Sequence, residues 1–184
     1  MLRHLILGLS ALSLAACSPG TGLPPIPDAS VTAYHLGVDD QVRVITFGED
    51  QLTGTFRVND SGMIAVPLLG AVKAQGLTSA QLADEIVAEL KRKQLLRDPS
   101  VSVEVSQYRP IFILGEVKNP GQYPYEPGMT MLTAVSVAGG FTYRGVRDYG
   151  SVVRMENGHP QEGIIQRQGV VQPGDVITIY ERTF

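Results

Sequence analysis

Residues 111–140, IFILGEVKNPGQYPYEPGMTMLTAVSVAGG, decide how the chain folds. The stretch opens with an apolar run at Ile111–Leu114, which predicts a short buried strand. The Asn-Pro-Gly sequence at 119–121 predicts a tight turn, because Pro120 presets φ at the second turn position and Gly121 accepts a positive φ at the third. A second strand, which carries two tyrosines, is expected to return beside the first.

A short helix is predicted to follow this hairpin. Thr130 is a good N-cap, and the apolar spacing predicts a helix over Met131–Ala138. Gly139 and Gly140 then end the helix, because glycine adopts the left-handed conformation of a helix end without a steric penalty. The predicted order is therefore strand, turn, strand, helix and double-glycine stop.

These residues and their order resemble the SLBB module, a soluble ligand-binding β-grasp. Its pattern is a G-E-V-x-x-P-G turn followed by a helix that ends in A-G-G, and it is matched here at 115–121 and 138–140. The resemblance implies structural turn and cap roles, rather than chemistry, for Gly115, Pro120, Gly121, Gly139 and Gly140.

The composition limits the class of protein. With 184 residues, the chain has room for one domain or two small ones. Its hydrophobic fraction of 43% is enough to build hydrophobic cores. The net charge of −3 argues against a nucleic-acid partner, because such a partner requires a basic face.

The N-terminus predicts a secretion signal rather than part of the fold. A positive start and an apolar run are typical of a signal peptide over residues 1–16, too short to span a bilayer. The Leu-Ala-Ala-Cys sequence at 14–17 resembles a bacterial lipobox, which implies cleavage between Ala16 and Cys17 and a covalent lipid on Cys17. The alternative is an ordinary signal peptide with a chance cysteine. Cys17 is the single cysteine, so the chain has no intramolecular disulfide, and Ser18 favours the outer membrane.

A tether and a first domain are predicted after the signal. Residues 17–33 are rich in proline and glycine, which predicts a flexible tether. Alternating apolar residues then predict several short strands. Thr78 and Gln81 have the spacing of a capping box at the start of the clearest helix. The buried side of that helix is an apolar stripe formed by Leu82, Ile86 and Leu90.

This region, residues 34–106, resembles the export domain of the polysaccharide biosynthesis/export family. The matching positions are Tyr34, Leu36, Asp40, Val42, Val44, Gly62, Ile64, Pro67, Gly70, Gly76, Leu77 and Thr78. Asp39 stands where the family has glycine, and aspartate tolerates turn geometry better than most residues. An SLBB domain follows the export domain in this family, and here it is expected over residues 107–184. The predicted fold class is thus α+β, with two small strand-rich domains.

The resemblance also implies a function. It indicates a non-enzymatic lipoprotein, anchored in the outer membrane with its body in the periplasm, that helps to export capsular or extracellular polysaccharide. Such proteins act as ring-shaped, octamer-like homo-oligomers. The expected partners are the polysaccharide, an inner-membrane polysaccharide co-polymerase or tyrosine kinase, and a separate outer-membrane β-barrel, since the sequence ends without the amphipathic helix of longer family members.

Two other classes of function remain open at this stage. One is a monomeric periplasmic lipoprotein that binds or senses a glycan, and the other is a polysaccharide-modifying enzyme. The acids that an enzyme would use are Asp39-Asp40 or Glu49-Asp50, but adjacent acids in turn-rich sequence are expected in solvated loops.

The sequence predicts no catalytic residues, no metal site and no cofactor apart from the lipid on Cys17. His35 and His159 have no metal-binding partner three or four residues away. Six tyrosines offer rings on which a sugar can stack, but they are expected mainly to pack: Tyr34, Tyr108, Tyr123, Tyr125, Tyr143 and Tyr149.

Overall fold

A computed structural model of the chain describes residues 20, 22–27, 33–156 and 158–183. These residues form two strand-rich domains in succession, each around its own hydrophobic core. The described part contains two α-helices and strands in three sheets, which confirms the α+β class.

The first domain contains five strands and one α-helix: β1 (Gln41–Thr46), β2 (Gly54–Arg57), β3 (Met63–Val66), β4 (Gly70–Lys73), α1 (Ser79–Arg92) and β5 (Val101–Gln107). A 3₁₀ turn, Asp50–Leu52, lies between β1 and β2. The order β2-β1-β5 forms an antiparallel sheet, and β3 and β4 form a separate hairpin. The alternating burial of β1 follows the alternation of apolar and polar residues in its sequence.

Helix α1 closes the first core. The capping box is confirmed: Thr78 accepts a hydrogen bond from the backbone N–H of Gln81, whose side chain returns a bond to the backbone of Thr78. The stripe predicted from the sequence faces inward, since its three residues, Leu82, Ile86 and Leu90, are all buried. Burial of this stripe against β5 fixes the helix on one face of the sheet.

The second domain is built on one mixed sheet. It contains β6 (Ile111–Gly115), β7 (Gly121–Tyr123), α2 (Met131–Val137), β8 (Tyr149–Glu156), β9 (His159–Gln166) and β10 (Val176–Ile179), with the strand order β7-β6-β10-β8-β9. The central pair, β6 and β10, is parallel, and the other pairs are antiparallel. Helix α2 packs its buried residues into the second core.

Helix α2 has the ends that the sequence predicts. Thr130 is the N-cap, and its hydroxyl accepts a hydrogen bond from the backbone N–H of Thr133. The helix ends at Val137 with Ala138 as its C-cap. Gly139 and Gly140 follow with φ of 84° and 90°, in the left-handed region that favours glycine.

The turn predicted at 119–121 is wrong in its mechanism. Gly121 is not among the residues with a positive φ and already pairs with Ile113 as the first residue of β7. The positive φ lies at Gly115 instead, with a value of 80°. The connection from β6 to β7 spans residues 116–120 and is longer than a tight turn. Within it, the N–H groups of Lys118 and Asn119 donate to backbone carbonyls just after the end of α2.

Part of the segment predicted as a flexible tether is held against the second domain. The carbonyl of Pro24 accepts a hydrogen bond from Ile164, and the N–H of Ile26 donates to the carbonyl of Ile164, at 2.8 and 2.9 Å. Ile26 also packs against the second core. The edge strand β9 offers free backbone groups, and an extended proline-rich segment can pair with them. The prediction of a flexible tether is therefore wrong for residues 24–26.

Among the described residues, no helix combines the length and the apolar character needed to cross a bilayer. The predicted signal peptide at 1–16, its cleavage point at Ala16 and the predicted lipidation site Cys17 lie outside the described residues.

Candidate functional site at the domain junction

Asp40 is the centre of the contact between the two domains. Its carboxylate is fully buried and accepts hydrogen bonds from the backbone N–H of Gly37 at 2.7 Å and the hydroxyl of Tyr34 at 2.6 Å. A third bond comes from the backbone N–H of Arg109, at 2.8 Å, in the segment that joins β5 to β6. The expectation that Asp39-Asp40 lies in a solvated loop is therefore wrong for Asp40, because tertiary donors satisfy its charge.

Asp39 occupies the left-handed region of the turn. Its φ is 72°, and its side chain is 61% exposed, with one carboxylate oxygen 3.5 Å from the guanidinium of Arg57. The turn expected from the family pattern is thus formed although a glycine is missing there. An aspartate adopts this conformation at a modest cost, so the replacement leaves the fold intact.

Arg109 connects the two domains directly. Its Nε donates to the carbonyl of Pro173 in the second domain, at 3.0 Å. Its Nη1 lies 3.1 Å from the hydroxyl of Tyr34 and 3.4 Å from the carboxylate of Asp40 in the first domain. The guanidinium carbon also lies 5.8 Å from the centre of the Tyr34 ring, within the range of a cation–π contact. One side chain therefore joins both domains through charge-assisted bonds.

Three tyrosine rings extend the same contact. Tyr108 lies edge-on between Tyr34 and Tyr125, with centroid distances of 5.0 and 5.4 Å. Burial, and then the hydrogen bond to Asp40, raise the pKa of Tyr34 far above its usual value. Burial likewise raises the pKa of Tyr125. The three rings therefore form a packed seam between the domains.

A groove opens beside this seam. It encloses about 390 Å³ and is lined by residues of both domains and the segment between them: Asp39, Arg57, Gln107, Tyr108, Pro110, Gln122, Tyr123 and Pro124. We refer to this feature as the junction groove. Its walls combine two phenol rings, two amides and one pair of opposite charges, a mixture that suits a polar ligand with apolar faces.

A second buried carboxylate lies inside the second domain. Asp175 accepts two hydrogen bonds from Arg154, at 2.8 and 3.0 Å, and one from the backbone N–H of Gln172, at 2.8 Å. Arg154 is also buried, and it donates to the carbonyls of Val170 and Pro27. Burial raises the pKa of Asp175, while the hydrogen bonds from Arg154 oppose the shift. This pair holds the domain and the N-terminal segment together.

The predicted turn and cap glycines lie around the end of α2 and the end of β6. A Cβ at Gly115 would collide with the carbonyl oxygen of Ile179, and a Cβ at Gly139 would come within 2.6 Å of the side-chain nitrogen of Asn119. Nothing lies within 4 Å of the Cβ position of Gly140. Pro120 directly precedes β7. Their roles as structural residues remain predictions.

The other candidates from the sequence are dispersed. His35 and His159 are both exposed, one in each domain. Within the described residues, no group of three or more His, Cys, Asp and Glu side chains could hold a metal ion. Of the six candidate tyrosines, three form the seam, and Tyr123 lines the junction groove together with Tyr108.

Sequence reasoning missed Arg109 and Arg154. Each side chain bonds a carboxylate far away in sequence, 69 residues away for Arg109 and 21 residues away for Arg154. A partial signal was nevertheless present, because Gly174-Asp175 before β10 echoes Asp39-Asp40 before β1, although Asp39 replaces the glycine and the match covers too few residues to be an internal repeat. Each such aspartate, if buried, requires a cation or several hydrogen-bond donors.

Comparison with known proteins identifies both domains. Residues 28–106 match the family described as polysaccharide biosynthesis/export protein, and residues 110–165 match the SLBB domain. Among curated relatives, the exopolysaccharide production protein ExoF of Rhizobium meliloti (strain 1021) is 38% identical over 156 residues, which cover 76% of this chain and 36% of the relative.

Two further relatives are named as polysaccharide export or transport proteins. The EPS I polysaccharide export outer membrane protein EpsA of Ralstonia solanacearum is 26% identical over 190 residues, covering 84% of this chain and 49% of that protein. The polysialic acid transport protein KpsD of Escherichia coli is 28% identical over 109 residues, covering 58% of this chain and 19% of that protein. The chain thus spans less than half the length of each of these relatives.

Proposed function

The chain belongs to the polysaccharide biosynthesis/export family and joins that domain to an SLBB domain, and on this premise we propose that it helps to export a polysaccharide across the cell envelope. The observation that carries the proposal is the presence of both domains in one chain, in this order. The family is one of export proteins and not of enzymes. The relatives named for exopolysaccharide production and polysaccharide export support the same role.

The proposed mechanism is structural. Copies of the chain assemble into a ring, the first domain lines the periplasmic entrance, and the second packs between neighbours. The junction supports this arrangement, because Arg109 and the tyrosine seam make one stiff unit of two small domains. A ring of such units keeps a defined opening, whereas loosely linked domains would not.

The proposed attachment is a lipid on Cys17 in the outer membrane. Residues 24–26 pair with β9, so the segment that connects the lipid to the folded domains would begin beside the second domain. Several acyl chains would contribute about 0.8 kcal/mol per buried CH₂ group, enough for stable anchoring. The expected partners are an inner-membrane polysaccharide co-polymerase or tyrosine kinase and a separate outer-membrane β-barrel.

Deletion of the gene tests the proposed function. Polysaccharide should disappear from the cell surface, and the wild-type chain should restore it. Cys17→Ser should fail to restore it and should also lose incorporation of a labelled fatty acid. Cys17→Ser is informative because residue 17 lies before both domains, so the substitution removes the proposed anchor without changing a residue of either domain. Unchanged surface polysaccharide in the deletion strain, with no second copy of the gene, would overturn the proposal.

A monomeric glycan-binding lipoprotein is the second candidate, and the junction groove favours it. Its lining is suited to a sugar whether or not the chain forms a ring. The mass of the lipidated protein in mild detergent separates the two candidates: a stable ring supports the conduit, and a monomer at all concentrations supports the binding protein.

A further inference from the structure

We propose that the junction groove binds a saccharide unit of the polymer, through the rings of Tyr108 and Tyr123 and the charged pair Asp39 and Arg57. The inference rests on the proposed function, because it names the place where the polymer contacts the chain. It goes further by assigning a ligand class to a site that two domains build together.

The lining of the groove matches the chemistry of a sugar. A pyranose has C–H faces, which pack on aromatic rings, and a rim of hydroxyls, which both donate and accept hydrogen bonds. Tyr108 and Tyr123 supply the rings, and Gln107 and Gln122 supply amides with both kinds of hydrogen-bonding group. The volume of about 390 Å³ lies in the range of about 300–1,000 Å³ that is usual for small-ligand sites.

Asp39 provides an independent argument. Its left-handed φ of 72° has a modest cost for an aspartate, and glycine would occupy the position at no steric cost. The backbone N–H of Asp39 bonds to Val58, a contact that glycine would preserve. The side chain is exposed and lies on the groove wall beside Arg57, so it adds nothing to the core. An acid therefore stands on the groove wall where glycine would serve the backbone better, and its exposed carboxylate is available to a ligand.

The groove is held open before any ligand arrives. Tyr108 is fixed by edge contacts with Tyr34 and Tyr125, and the adjacent Arg109 is bonded to both domains. Tyr123 is fixed as well, because its hydroxyl donates to the carbonyl of Asn119. A rigid site loses little conformational entropy when a ligand binds. The same contacts make the affinity depend on the relative position of the two domains.

The test is calorimetric titration of the full-length chain in detergent. The probe is a set of oligosaccharides, two to three repeating units long, released by mild acid from the exopolysaccharide of the same organism. Dextran fragments of matched size serve as the comparison. We expect saturable binding of the first probe and weaker binding of the second. Absence of binding to the first probe at millimolar concentrations would overturn the proposal.

Asp39→Gly separates binding from folding. It removes a groove carboxylate and the strain together, while the exposed pair with Arg57 adds little stability. We expect an unchanged or higher melting temperature and about tenfold weaker binding, the size of one charged hydrogen bond. A purely structural role for Asp39 would leave the affinity unchanged, and that result would contradict the proposal.

A pair of glutamine variants supplies a matched control. Gln122→Ala changes an exposed strand residue in the groove, and Gln161→Ala changes an exposed strand residue on β9. Only the first should weaken binding. If both bind as the wild type does while deletion of the gene still abolishes export, the groove assignment fails and the proposed function stands. If deletion has no effect on export, the proposed function fails.

Discussion

Asp40 and Asp175 end two turns of the same construction, one in each domain. In each turn the carboxylate accepts a hydrogen bond from the backbone N–H three residues earlier, at Gly37 and at Gln172, with distances of 2.7 and 2.8 Å. The backbone N–H of each aspartate returns a bond to the carbonyl of that same residue. A strand follows directly in both cases. The residue before each aspartate has a left-handed φ, 72° in the first turn and 86° in the second.

The two turns differ in the arginine that each aspartate receives. Arg154 is 2% exposed and bonds Asp175 twice, within one domain. Arg109 is 26% exposed and shares its bonds between Asp40 and the carbonyl of Pro173 in the other domain. The turn is thus a local feature of the sequence, whereas the role of its aspartate depends on an arginine that is distant in sequence. One arginine stabilises a core, and the other joins two domains.

Asp175→Ala should have the largest effect. It leaves the Arg154 guanidinium buried without its counter-charge, and removal of one partner from a buried pair costs about 3–5 kcal/mol. Urea unfolding should show early loss of the second domain. A cost below about 1 kcal/mol would mean that Arg154 reaches water or another acceptor, and the contrast between the two turns would then be lost.

Asp40→Ala should cost less, about 1–3 kcal/mol, because it removes several hydrogen bonds but leaves a cation that can rehydrate. The variant should unfold in two transitions, whereas we expect one for the wild type because the junction couples the domains. A single transition with the wild-type midpoint would show that Asp40 does not couple the domains.

Arg109→Met tests the link with less damage to the first domain. It keeps an unbranched stem and removes the guanidinium, and it should cost about 1–2 kcal/mol because the site is partly open to water. Spin labels placed in the two domains should report a broader distance distribution. Arg144→Met, which breaks an exposed pair with Glu181, is the matched control and should leave the distribution unchanged.

Tyr34→Phe should have the smallest effect near neutral pH, about 1 kcal/mol, because it removes one of several donors to Asp40, and it should have a distinct signature at alkaline pH. The fold raises the pKa of Tyr34 above its unfolded value of about 10. Its contribution is therefore present below pH 10 and is lost as the pH rises further, since the unfolded chain releases the proton first. The free energy of unfolding should fall more steeply above pH 10 for the wild type than for Tyr34→Phe. Equal slopes would contradict burial of the phenol.

Local signals in the sequence predicted the local structure well. The capping residues Thr78 and Thr130 start the helices that the sequence indicates, because a cap requires only the residues of one turn. Strand β9 was missed, because its sequence HPQEGIIQ contains few residues with high strand propensity and its first half is exposed.

The candidate site was harder to predict because it depends on contacts between distant residues. Asp40 was expected in solvent, and only the tertiary donors at Arg109 and Tyr34 explain its burial. The pairing of residues 24–26 with β9 has the same origin, since a proline-rich segment carries no sign of the edge that it meets. The type of a turn depends on a few residues that are adjacent in sequence. The hydrogen-bond partners of a side chain or an extended segment depend on the whole fold.

Acute depletion of the chain, followed by pulse labelling of newly made polysaccharide, tests the central claim most directly. It separates a role in export from slower effects of a missing gene. The account predicts that labelled polymer stops reaching the surface and accumulates inside the envelope while synthesis continues. Delivery to the surface at an unchanged rate after the chain has gone would contradict a role in export.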